Sequence, residues 1–113
     1  MKRIALALTL ALPLAAHAYN PPLPTYNGKI ERHITIDVDP RAGEVTFINS
    51  TTKSINLQKM VLIEEGSRRC TTPNKPVIVK PGKEVILTEG ECGLWSTSEI
   101  IFATPKGLIK QKM

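Results

Sequence analysis

Cys70 and Cys92 are the two cysteines of a 113-residue chain, and what they can do depends on where the chain folds. In an oxidising compartment a lone pair of cysteines in a small domain bonds to itself. The competing chemistry, a zinc site, needs four ligands. Beyond the first eighteen residues the chain adds one imidazole, His33, and no Cys-x-x-Cys spacing. A Cys70–Cys92 disulfide is therefore expected, and closing a ring of that size stabilises by about 3 kcal/mol in the chain-entropy model.

The remaining reactive side chains form no recognisable catalytic set. His33 falls on the outward positions of an alternating stretch, beside Thr35, and no Ser or Cys sits in a nucleophile motif. No catalytic residue is assigned, and the chain reads as a non-enzyme without cofactor. A copper site of two His and a Cys lacks ligands. Asp37, Asp39 and Glu44 surround the Pro40 turn and could take calcium loosely, although such acidic turns are ordinarily just solvated, so no metal site is assigned. Arg68 and Arg69 are a different matter. They lie in "EEGSRRCTTPN", residues 64–74, a segment that Cys70 would anchor, and arginine is enriched at binding hot spots. They are the expected partner-binding residues.

Export supplies the oxidising compartment. Lys2 and Arg3 precede an apolar run from Ile4 to Leu14, and Ala16-His17-Ala18 is a small-x-small cleavage pattern. Residues 1–18 read as a secretory signal peptide, too short in its apolar part for the roughly 20 residues of a membrane span. The mature chain, Tyr19 to Met113, is expected to be periplasmic or secreted, with no transmembrane segment. Losing Lys2 and Arg3 lowers the formal charge from +5 to +3. Basic residues interleave with Glu64, Glu65, Glu84, Glu89 and Glu91, which argues against a nucleic-acid partner. Lys106, Lys110 and Lys112 gather near the end of the chain and read as a solvated terminus.

Residues 19–28, "YNPPLPTYNG", hold three prolines and read as an extended arm. The domain proper is expected over 29–113. From Lys29, Ile30, Ile34, Ile36 and Val38 alternate with polar residues, the period-two signature of a half-buried strand. "DPRAG" breaks it, "EVTFIN" resumes, and "INLQKMVLIEE" reads as one long third strand. Two more flank Lys80-Pro81-Gly82, where Pro and then Gly suit a type II turn. "SEIIFATPKGLIKQ" supplies the last one or two. About seven short strands with frequent turn signals predict an all-β, single immunoglobulin-like antiparallel β-sandwich. "NSTTKS", residues 49–54, is then the connection between the second and third strands, its hydroxyls satisfying turn backbone. Asn49-Ser50-Thr51 also matches a glycosylation sequon, a match common by chance.

"VTFINSTTKSINLQKMVL" followed by "VIVKPGKEVIL" resembles two kinds of secreted immunoglobulin-like module over roughly residues 43–88. Lamin-tail-type domains place a strand-ending Asn, an apolar-Leu segment, a large apolar residue, another Leu and a Pro-Gly turn where Asn49, Leu57, Met60, Leu62 and Pro81-Gly82 stand. Met60 replaces the usual Trp. The first domain of periplasmic pilus chaperones has a similar layout, echoed by Gln58, but chaperones have two domains and this chain has room for one. The resemblance implies the sandwich and no activity. The expected role is a cell-envelope interaction module that binds a protein through a loop or strand edge. The alternative is an inhibitor or immunity protein blocking a secreted enzyme, with residues 64–74 as its inserting loop. Ile34, Ile36, Val45, Phe47, Leu57, Val85 and Phe102 should be buried together, and the Cys70 and Cys92 Cα atoms should lie about 4.4 to 6.8 Å apart.

Overall fold

The computed structural model describes residues 21–113, so residues 1–18, expected as a signal peptide, and Tyr19-Asn20 lie outside the described residues. Eleven β-strands form there: β1 (Thr25–Tyr26), β2 (Lys29–Ile30), β3 (Ile34–Asp39), β4 (Glu44–Asn49), β5 (Ile55–Leu57), β6 (Lys59–Glu64), β7 (Arg68–Thr71), β8 (Val77–Val79), β9 (Glu84–Thr88), β10 (Thr97–Thr104) and β11 (Gly107–Lys112). All pairings are antiparallel. One sheet runs β2-β1-β11-β10-β6-β7, a second β3-β4-β9, and β5-β8 forms a short third. β3, β4 and β9 on one side and β6, β10 and β11 on the other enclose a shared core, an all-β antiparallel sandwich arrangement.

Alternation puts one apolar row of each strand inward. Val45 and Phe47 of β4 meet Met60 and Leu62 of β6 and Ile100 and Phe102 of β10 in one core. Phe47 and Phe102 come from opposite sheets and pack edge to face, their ring centroids 5.1 Å apart. That geometry suits the ring quadrupoles. Of the expected core set, Ile34, Ile36, Val45, Phe47, Leu57 and Phe102 are buried, whereas Val85 is only partly covered because β9 is an edge strand.

The strand count exceeds seven for three local reasons. The expected third strand breaks at Gln58, whose backbone N–H donates to Ala103 O, so Ile55–Leu57 pairs with β8 while Lys59–Glu64 pairs with β10. Such a switch lets one strand serve two sheets. Ile30 does not continue into β3. It sits on β2, 64% exposed, in a hairpin with β1, and β1 in turn pairs with β11 inside the stretch expected as the arm. The third reason is β7, which lies where a free loop was expected.

The polar stretch 49–54 closes on Asn49, which is fully buried. Its Nδ2 donates to Lys53 O at 2.8 Å and Val79 O at 2.9 Å, while Oδ1 accepts the Thr51 N–H at 2.9 Å and the Thr51 hydroxyl at 2.6 Å. Its backbone N–H donates to Lys83 O, and its carbonyl accepts from Gly82. Gly82 has φ +76°, and Lys83 N–H donates back to Lys80 O, as a type II turn requires. A buried amide with both hydrogens engaged closes the sequon in the folded chain. Replacing Asn49 by Ala would strand several buried groups at about 1–3 kcal/mol each, so N49A should cost about 3 kcal/mol by urea denaturation. A loss under about 1 kcal/mol would show that water replaces the carboxamide.

Candidate functional site

Glu64 ends β6 on the inward face, where a carboxylate must find partners. The residue is 5% exposed. Arg68 supplies Nε at 3.2 Å and Nη2 at 3.0 Å to Oε1, and the Gly93 backbone N–H donates to Oε2 at 2.7 Å. One carboxylate thereby joins the β6–β7 hairpin to the segment that leads into β10. The Arg68 side chain is itself 77% exposed, so the Coulomb part of the pair is screened by water. The Gly93 N–H does most to hold the Glu64 acidity below the usual carboxylate range, Arg68 adds to it, and desolvation opposes both.

The disulfide reinforces the same junction. Cys70 on β7 and Cys92 bond with a Cα separation of 5.8 Å, inside the expected range. Disulfides persist in oxidising environments, extracellular or periplasmic. Ligand atoms of Glu64, Cys70 and Cys92 lie within 4.8 Å of one another, but the sulfurs are bonded to each other and both carboxylate oxygens are hydrogen-bonded. The cluster is a clasp in this state. In the acidic turn Asp39 Oδ1 accepts from the N–H groups of Arg41 and Ala42. His33 is exposed, its backbone N–H held by Glu31.

Arg68 and Arg69 therefore stand on an edge strand. A three-residue connection, Glu65–Ser67, reverses the chain, with Gly66 at φ +78° and Ser67 at φ +62°. Register pairs Arg68 with Glu64 and Arg69 with Ile63. Arg68 lies on the side of Glu64 and serves the clasp; Arg69 lies on the other face of the sheet, and both are exposed.

Trp95 is the residue that sequence reasoning passed over. It is 76% exposed, in a short 3-10 turn, Leu94–Ser96, whose other side is fixed at every step. Leu94 is buried and its N–H donates to Glu89 Oε1 at 2.9 Å; Thr97 Oγ1 donates to Gly93 O at 2.7 Å; Cys92 is held by the disulfide. The turn enters β10 at Thr97, opposite Glu64, so Trp95 and Arg68 share one end of the sheet. The one signal in "ECGLWSTS" was a lone aromatic outside any alternating run.

No protein-family model matches the chain, and no curated protein or solved structure matches it.

Because folding lowers the Glu64 pKa, its contribution is present above the unfolded value of 4.5 and is lost as pH falls through the lower folded value. Urea denaturation should show wild type losing stability below that value, and E64Q should start less stable at neutral pH with a flatter acid limb. Parallel acid limbs would remove Glu64 from the clasp. Serine at both Cys70 and Cys92 should cost about 3 kcal/mol in the same assay.

Proposed function

We propose that this chain is an exported, non-enzymatic interaction module of the cell envelope that binds a protein partner through its disulfide-clasped end. The observation that carries the reading is Trp95: a large aromatic left 76% exposed on a turn whose neighbours are all pinned. Burying it in a partner would gain apolar area at little conformational cost, since the turn is already ordered. Exposed aromatics and arginines are the usual anchors of binding surfaces. The signal-peptide reading of residues 1–18 and the disulfide support export. The immunoglobulin-like resemblance over residues 43–88 supports a scaffold role and adds no activity.

An inhibitory loop at 64–74 has less support, because Arg68–Thr71 is strand and offers no protruding segment. Arg68 is also a poor neutral probe, being tied to Glu64. Trp95 and Arg69 are the informative positions. In pull-downs from envelope extract, W95A should weaken capture of the dominant partner at least about tenfold, with the thermal midpoint moved by less than about 3 °C. R69A should weaken it less. Unchanged capture by folded W95A and R69A proteins would overturn the assignment to this end.

A further inference from the structure

The structure assigns a second binding surface, distinct from the clasped end: we propose that the free edge of β3 accepts an extended, proline-free peptide strand of a partner protein. The assignment starts from the antiparallel ladder. Ser50 N–H donates to His33 O, so hydrogen-bonded pairs recur every second residue and fall at Thr35/Ile48 and Asp37/Thr46. The N–H and C=O groups of Ile34, Ile36 and Val38 therefore point away from β4. Among the described residues no other strand of the second sheet lies beyond β3. Among the described residues no backbone partner meets them, although Ile34 and Ile36 are 1% and 7% exposed. Buried backbone groups without partners are rare in folded proteins.

A groove of about 380 Å³ runs along this edge, walled by Ile36, Val38, Pro21, Gln111 and Met113, with Asp37 and Lys112 at its rims. Its other wall is therefore the end of β11, in the opposite sheet. The proline segment beside it cannot substitute for a strand: Pro21, Pro22 and Pro24 have no N–H, and Pro22 O is taken by Gln111 Nε2 at 2.8 Å. What such an edge binds is fixed by the ladder. An extended backbone would bond Ile36 and Val38, and its alternate side chains would meet the apolar walls. The other edges are less suited. On β9, Asn74 already bonds the Thr88 N–H and C=O, and β7 carries two arginines.

Amide exchange and a phage library of random nonapeptides, both applied to the purified full chain, test the proposal. In the free chain the Ile36 and Val38 amides should exchange at least tenfold faster than those of Thr35 and Asp37. Selected peptides should be proline-free and alternately apolar, and the tightest should slow Ile36 and Val38 exchange at least tenfold. V38P removes an outward N–H that meets no backbone partner among the described residues, and should lower peptide affinity at least tenfold. Should V38P not fold, methylating alternate backbone nitrogens of the peptide should abolish binding to wild type. No enriched peptide, protection elsewhere, or binding indifferent to V38P and to methylation would overturn it. So would Ile36 and Val38 amides already protected without peptide: at all concentrations the chain fills its own edge, and only at high concentration a second copy does. W95A should leave peptide affinity unchanged, so this surface and the clasped end fail separately.

Discussion

The buried carboxamide of Asn49 is the constraint on which the sandwich depends. A small two-sheet domain must carry its chain from one sheet to the other, and each crossing frees backbone groups that the core cannot leave unpaired. Asn49 meets that need at the place where three segments converge. Its side chain binds the 49–53 turn and the end of β8, and its backbone binds the turn that leads into β9. Aspartate would keep the acceptor and lose the donors that reach Lys53 O and Val79 O. Leucine would leave those carbonyls unpaired. The polarity of the segment after β4 is thus a requirement of the apolar core around it.

At the far end of the strands the same problem is met by a charge and a covalent bond. Glu64 collects a backbone N–H and a guanidinium, and Cys70–Cys92 bonds the same two segments a few residues away. The two devices act on different states. The disulfide restricts the unfolded chain, whereas the carboxylate acts only once Gly93 and Arg68 are in place. Together they hold the 92–97 segment in place, with Cys92, Leu94 and Thr97 buried and Trp95 and Ser96 left exposed. That combination leaves Trp95 in water on a backbone whose neighbours are bonded into the fold.

Legibility from sequence followed the strength of the local pattern. β3, β4, β9 and the Pro81-Gly82 turn were readable because alternation and turn chemistry agree there. The break at Gln58 was not, since "INLQKMVLIEE" is continuously strand-like and only the sheet change interrupts it. β7 was hidden for the opposite reason: in "RRCT" only Cys70 is even partly buried, and charges that protect an edge erase the pattern that identifies a strand. Both cysteines were legible from chemistry alone. Trp95 was not, because exposure is a property of the packed turn. The groove beside β3 joins residues 21, 36–38 and 111–113, and no window of sequence contains it.

Edges complete the comparison between what the fold needs and what it leaves open. An open sandwich cannot abolish its edge strands, so each must be blunted or used. β2 is two residues long, β7 is positively charged and disulfide-bonded, and the Thr88 end of β9 is capped by an asparagine that imitates a neighbouring strand. β3 differs from all of these: six residues long, apolar on its inner face, and flanked by prolines that shield it without bonding to it. Shielding by a segment whose one backbone donor is the Leu23 N–H keeps like edges from zipping together, yet among the described residues the ladder of Ile34, Ile36 and Val38 keeps no backbone partner. The edge that is protected without being satisfied is therefore the one we propose for a partner's strand.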